Sequence, residues 1–93
     1  MTSTSTLGDM FFAGHTKGTS SRSQIVNGKN FTYLVDYGWA VLAMRNKKSR
    51  KVTYYSGWDK YSPTTSKHIS QFGLRYRSHR TVNKQRTLSE GVR

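Results

Sequence analysis

The sequence predicts an α+β fold, in which a small antiparallel β-meander of three to four strands is followed by one C-terminal helix. Three observations support this prediction. Runs of aromatic and β-branched residues alternate with short turn signals, and the apolar period changes to a helical one after Pro63. The chain is also only 33% hydrophobic but 13% aromatic, so its core depends on Tyr, Phe and Trp, which favour strands.

The first predicted hairpin is marked by Asn-Gly at 27 and 28. Both central residues of a type I′ turn need positive φ, and this dipeptide is the strongest short signal for that turn. It joins a short strand at residues 24–26 to a longer strand at residues 29–36. A second tight turn is predicted at Tyr37-Gly38.

The second predicted hairpin is built around the heptad RNKKSRK, residues 45–51. An apolar strand over residues 39–45 precedes it, and the strand KVTYYSGW over residues 51–58 follows it. Because the heptad holds five cations and no apolar residue, we expect it to form the exposed tip of this hairpin.

The helix is predicted to begin after Ser62, which can act as N-cap with Pro63 at the first helical position. Gly73 is either an interior residue or the C-terminal stop. The apolar face of this helix is predicted to contain Ile69, Phe72 and Tyr76.

These elements predict one domain with two loose ends. Residues 1–9 are expected to be mobile, because MTSTST has nothing to bury, although Leu7 to Phe12 offer a short strand or a plug on the core. Residues 10–76 form the predicted α+β domain. Residues 77–93 are expected to be a basic tail, disordered or folding on a partner.

The net charge of +12 is concentrated in the second half of the chain. Residues 1–44 carry three cations and two acids, 3 − 2 = +1, whereas residues 45–93 carry thirteen cations and two acids, 13 − 2 = +11. Charge polarised in this way attracts polyanions and increases the rate of association with them. The predicted partner is therefore DNA or RNA, and the strandedness is left open.

The predicted nucleic-acid site combines the cationic tip, the tail and aromatic side chains. Tyr55 and Trp58 are the stacking candidates, since bases stack on aromatic rings beside cations. Lys67 lies near a hydroxyl-rich helix start that suits either an anion or simple capping. The predicted site residues are Arg45, Lys47, Lys48, Arg50, Lys51, Tyr55, Trp58, Lys67, Arg75, Arg77 and Arg80.

We predict no enzymatic activity, no cofactor and no metal site. The residues His15, His68 and His79 are far apart without metal-ligand spacing, and the chain has no cysteine. No apolar run is long enough to span a membrane. The short sheet offers edges for dimerisation, and the sequence leaves the oligomeric state open.

Two segments, GHTKGTSSRSQIVNG and YSPTTSKHISQF, flank a strand that ends in YG. Together they resemble a family of small phage-encoded domains of unknown function, over roughly residues 13–72. The run Thr64 to His68 is the more specific part, and His15 departs from the family pattern, which has Asn there. The resemblance implies a phage origin and action in the cytoplasm of an infected host cell. It also raises an alternative function, a phage-encoded modulator that binds a host protein or ribonucleoprotein such as RNA polymerase, a nuclease or a defence complex.

Overall fold

The computed structural model describes residues 2–91, which form an α+β fold, as predicted. One six-stranded sheet has its strands in the order of the chain. The strands are β1 (Gly18–Thr19), β2 (Ser23–Asn27), β3 (Phe31–Asp36), β4 (Ala40–Asn46), β5 (Val52–Tyr55) and β6 (Arg80–Val82). The helices are α1 (Thr4–Ala13), α2 (Pro63–Phe72), α3 (Leu74–Arg77) and α4 (Leu88–Gly91), with a 3-10 helix at Ser56–Trp58.

The antiparallel meander is confirmed for β2 to β5, but the prediction of three to four strands with one C-terminal helix is wrong. Strand β1 adds to one edge, at residues for which the sequence predicted no strand. At the other edge β6 pairs parallel to β5, because the chain returns through α2 and α3 before it rejoins the sheet. Both additions are too short to give a periodic signal in the sequence.

The turn between β3 and β4 has the geometry that was predicted for the first hairpin. Tyr37 and Gly38 have φ values of 57° and 78°, and the Trp39 N–H donates to the Asp36 carbonyl at 3.2 Å. The prediction of a type I′ turn at Asn-Gly 27 and 28 is wrong, since both residues have negative φ. Strand β2 continues through residue 27, and Gly28 is needed there for space, because a Cβ would lie 2.8 Å from the Tyr33 ring.

Helix α1 replaces the mobile N-terminus and the short strand that were predicted. The Ser3 hydroxyl accepts from the Thr6 N–H at 3.2 Å and caps the helix. Leu7 and Phe11, one turn apart, are fully buried in the core. The predicted boundary at residue 9 therefore falls inside a helix of the domain, and Met1 lies outside the described residues. Burial of two apolar residues by tertiary contacts outweighs the weak helix signal of this stretch.

Helix α2 begins and ends where the sequence placed its signals. The Ser62 hydroxyl accepts from the Thr65 N–H at 3.1 Å, with Pro63 at the first position. Gly73 is the C-terminal stop, with a φ of 70° that glycine adopts without strain. Because the helix stops there, Tyr76 leaves the predicted apolar face and is 81% exposed.

The predicted basic tail is packed onto the sheet in the part that the structure describes, residues 77–91. Residues 92–93 lie outside the described residues. Strand β5 pairs with residues 43–45 of β4, which leaves the first half of β4 with an open edge. The Val41 N–H donates to the Arg86 carbonyl at 3.0 Å, and the Leu88 N–H donates to the Trp39 carbonyl at 2.7 Å. Satisfaction of these backbone groups holds residues 86–88 beside β4.

The sheet has one face under α1 and α2 and one face away from these two helices. Paired residues on neighbouring strands share a face, so Thr32 and Arg45 lie on the same side. Arg45 contacts the Phe11 carbonyl of α1, which identifies that side as the helix face. The pairs Phe31 with Asn46 and Tyr33 with Met44 therefore lie on the opposite face.

Candidate nucleic-acid interface

The basic heptad forms the tip of the β4–β5 hairpin, as predicted. The Asn46 side-chain oxygen accepts the N–H groups of Lys48 at 2.8 Å and Ser49 at 3.0 Å, which folds the loop back on itself. The Asn46 N–H donates to the Lys51 carbonyl at 3.0 Å and closes the hairpin. These bonds leave four cationic side chains exposed, those of Lys47, Lys48, Arg50 and Lys51.

Two further exposed cations lie beside this tip. The Lys47 N–H donates to the Asn30 carbonyl at 3.0 Å, so the β2–β3 loop and its Lys29 lie next to the tip. On the other side Arg80 pairs in register with Thr53 of β5. Arg80 is among the predicted site residues, whereas Lys29 is not, although Lys29 directly follows the Asn-Gly turn signal at 27 and 28. We call this group the cationic end: Lys29, Lys47, Lys48, Arg50, Lys51 and Arg80.

Acidic side chains do not neutralise the cationic end. The chain has four acidic residues, all within the described part. Three of them form ion pairs with cations outside this group, and the fourth, Asp36, is buried in contact with His68. The six cations therefore keep an uncompensated charge at one end of the sheet. The acidic pairs are Asp9 with Arg77, Asp36 with His68, Asp59 with Arg75, and Glu90 with Lys84.

Arg45 is not a phosphate contact, contrary to the prediction. It is 6% exposed and donates to the Phe11 carbonyl and, at 3.2 Å, to the Thr32 hydroxyl. Its guanidinium also lies 5.6 Å from the centre of the Phe11 ring. Burial lowers the pKa of Arg45, and the nearby Arg50 lowers it further. Side chains alternate between the two faces along β4, and Arg45 lies on the face that α1 covers. Arg45 therefore anchors α1 to the sheet.

Three other predicted cations also lie away from the tip. Arg75 makes a two-pronged contact with Asp59, and this hydrogen bonding lowers the pKa of Asp59 and raises that of Arg75. Arg77 donates to Asp9 at 2.9 Å and covers an aromatic ring of α1. Lys67 is exposed, but the next residue, His68, contacts Asp36, which lies at the end of β3 farther from the tip.

The predicted stacking residues are part of the core. Tyr55 is 4% exposed and Trp58 is 2% exposed, because the C-terminal segment covers them. The Trp58 indole N–H donates to the Arg86 carbonyl at 3.0 Å. The exposed rings Trp39 and Tyr61 lie at the far end of β4, roughly 20 Å from the tip at about 3.3 Å per residue. The exposed Trp39 indole is therefore far from the cations of the tip. The prediction that Tyr55 and Trp58 offer exposed rings beside these cations is wrong.

Two grooves flank the tip. One, of about 370 Å³, lies on the helix side between the end of α1 and the tip residues Lys47 and Arg50. The other, of about 590 Å³, lies on the opposite side and is bounded by Lys51 and Arg80. Phe31 and Met44 also line this second groove, and both are only half-buried. The cationic end thus has an aromatic side chain that the sequence analysis did not assign to it.

A buried polar group lies at the far end of β3. Asp36 is fully buried and accepts from the Ser23 hydroxyl at 2.7 Å, and His68 Nδ1 lies 2.9 Å from its carboxylate. The serine therefore bonds to the carboxylate and not to the imidazole, which differs from the relay of a nucleophilic serine. Across residues 2–91, no cluster of three or more His, Cys, Asp or Glu side chains could hold a metal ion.

The remaining findings concern membranes and similarity. None of the helices formed by the described residues is both long and apolar enough to cross a bilayer. Comparison of the chain with protein-family models, with curated protein sequences and with solved structures gives no match. The resemblance to a phage-encoded domain family therefore stays a prediction.

Proposed function

We propose that the protein binds nucleic acid through the cationic end, by contacts to the phosphate backbone. The observation that carries this proposal is the grouping of six exposed cations from two hairpins and β6, while every acidic side chain is paired elsewhere. A phosphate that arrives here does not have to displace an internal carboxylate. Release of counterions from the nucleic acid then drives binding.

The expected mode of binding is electrostatic and independent of sequence. Neighbouring strands of a sheet are about 4.8 Å apart, so the cations project from adjacent positions along one end of the sheet. Lysine side chains at the tip are flexible point charges, which suits a variable phosphate spacing more than a fixed base contact. DNA and RNA both offer the required backbone.

The test compares two triple variants that have the same net charge. The first changes Lys47, Lys48 and Lys51 to Ser, and the second changes three exposed cations away from the cationic end, Arg22, Lys60 and Lys67, to Ser. Each variant reduces the net charge from +12 to 12 − 3 = +9. Arg50 is kept in both, because its φ of 64° makes the turn sensitive to its replacement.

Binding of labelled oligonucleotides is measured by fluorescence anisotropy over a series of salt concentrations. We expect the tip variant to reduce the slope of log K against log salt by about 2 for a single strand, from about 0.7 per lost phosphate contact. The control variant should keep a slope within about 0.5 of the wild type. Equal losses in the two variants, or no binding by the wild type at low salt, would contradict the proposal.

A second candidate function is the predicted modulation of a host protein, and one observation favours it. Trp39 is 42% exposed and Tyr61 is 49% exposed, and both rings pack edge-on against Trp58 at 5.2 and 5.0 Å. Rigid, exposed Trp and Tyr side chains are typical of protein interface hot spots. On this proposal the protein acts in the cytoplasm of an infected cell.

This second function predicts a complex with different properties. It should have a fixed stoichiometry, persist at high salt and be lost when Trp39 and Tyr61 are both changed to Ser. Oligonucleotide binding by that variant should stay unchanged, because the cationic end is roughly 20 Å away along β4. A salt-resistant partner that still binds the double variant would exclude this surface.

A further inference from the structure

The groove bounded by Lys51 and Arg80 has the location of a binding site on an open sheet. Register places Met44 opposite Thr53, and Thr53 opposite Arg80, so these side chains share one face. Phe31 lies on the same face, two residues before Tyr33, which pairs with Met44. This is the face away from α1 and α2, and the volume of about 590 Å³ is in the range of small-molecule sites.

The floor of the groove is apolar and aromatic. Phe31 and Met44 are half-buried, so one side of each contacts the core while the other remains accessible from the groove. The Phe31 ring packs against the Tyr33 ring, with centroids 6.4 Å apart. The Tyr55 hydroxyl lies 3.9 Å from the Met44 sulfur. These contacts hold an apolar surface that includes the Phe31 ring beside the cationic end.

The rim of the groove supplies hydrogen-bond donors. Lys51 and Arg80 are exposed, and neither forms an ion pair with another described residue. The ring atom His79 Nδ1 accepts from the Val52 backbone N–H at 3.1 Å, and the His79 backbone N–H donates to the Val52 carbonyl at 2.9 Å. Because Nδ1 accepts, the proton of the neutral imidazole is on Nε2, which makes that atom a donor. Among described residues, the lining of this groove includes no acidic side chain.

An apolar aromatic floor with a rim of cations and donors matches the chemistry of one nucleotide. A base offers a flat face for stacking and acceptor atoms at its edge, and its flanking phosphates offer negative charge. A duplex keeps its base faces stacked inside the helix, so it cannot use the floor without opening. We therefore propose that this groove binds an unpaired base of a single-stranded nucleic acid, with Phe31 as the stacking surface and Lys51 and Arg80 on the phosphates. This proposal rests on the proposed function and deepens it.

The test uses an oligothymidine of about eight nucleotides, within the usual range of single-strand sites, and an abasic strand with the same number of phosphates. The wild type should bind the abasic strand about 5- to 150-fold more weakly, the range that stacking of one base gives. Phe31→Leu keeps apolar volume but lacks the ring, and it should bind the two strands about equally. Phe31→Tyr should preserve the preference, and so should Tyr76→Leu, which removes an exposed ring outside the groove.

The outcomes separate this inference from the proposed function. Equal, salt-sensitive binding of both strands by the wild type would overturn the inference and leave the phosphate contacts of the cationic end in place. Tighter binding of a duplex than of the oligothymidine would overturn it as well. If neither strand binds at low salt, both proposals fail. The comparison of the two strands by the wild type needs no variant, so it decides the question even if Phe31→Leu does not fold.

Discussion

Replacement of Gly57 by Ala tests how the C-terminal segment packs against the sheet. Gly57 lies in the 3-10 helix, where the chain of residues 84 and 85 crosses it. A Cβ would lie 2.3 Å from the Lys84 carbonyl carbon, 2.5 Å from its oxygen and 2.7 Å from the Gln85 nitrogen. These are backbone atoms, so a rotamer change cannot relieve the overlap, and the segment has to move away.

The size of the effect follows from the hydrogen bonds that hold the segment. The Arg86 carbonyl accepts from the Val41 N–H and the Trp58 indole N–H, both at 3.0 Å. The Leu88 N–H donates to the Trp39 carbonyl at 2.7 Å, and the Gln85 side chain donates to the Gly57 carbonyl at 3.1 Å. Four bonds at about 1 kcal/mol each give about 4 kcal/mol. Ala is more favourable than Gly in a helix by about 0.5–1 kcal/mol. We therefore expect the free energy of unfolding to fall by about 3 kcal/mol, a large part of the 5–15 kcal/mol typical of a domain.

The assay is urea unfolding followed by tryptophan fluorescence, combined with amide hydrogen exchange. In the Gly57→Ala variant the amides of Val41 and Leu88 should lose protection from exchange. The Arg86 carbonyl, which accepts from Val41, moves away, and Leu88 moves away from the Trp39 carbonyl with its segment. Leu88→Ala provides the double-mutant cycle: it should destabilise the wild type but have little further effect beside Gly57→Ala. A stability within about 0.5 kcal/mol of the wild type, with both amides still protected, would refute the reasoning.

Three further predictions concern charged residues. Asp36→Ala removes the carboxylate that the buried Ser23 hydroxyl and His68 Nδ1 contact, so the free energy of unfolding by urea should fall by about 1–3 kcal/mol for the donors left without an acceptor; a loss below about 0.5 kcal/mol would contradict this. The pKa of Asp59 is lowered by the hydrogen bond from Arg75, so its contribution to stability is present above about pH 4 and is lost as the pH falls through the lowered pKa. Arg75→Gln should raise the Asp59 pKa in a carboxyl NMR titration, and an unchanged value would exclude this cause. Arg45→Met should leave the salt slope of oligonucleotide binding at the wild-type value, because the Arg45 guanidinium is buried, and a reduced slope would return it to the interface.

Local signals were sufficient for the centre of the fold and for one half of the interface. The meander of β2 to β5 and the cap at Ser62 each depend on a few neighbouring residues, and both appear in the structure. The sequence left two alternatives open for Gly73, and the structure shows that it is the stop. The same is true of the hairpin tip, since residues 47–51 lie between two strands and include no apolar side chain that could be buried. Lys47, Lys48, Arg50 and Lys51 could therefore be assigned to an exposed tip from the sequence alone.

Tertiary contacts decided what these signals could not. Whether an aromatic or basic residue is exposed depends on which distant segment covers it: residues 86–88 bury Trp58, and α1 gives Arg45 a carbonyl to bind. Ion pairing likewise depends on the fold, because an acidic side chain pairs with a cation that is near in space and can be distant in sequence. Asp9, for example, pairs with Arg77. The sequence by itself determined the charge, the four central strands and the cationic tip. Only the tertiary structure decided which of the charged and aromatic side chains remain free to bind a partner, because burial and ion pairing are properties of residues brought together by the fold.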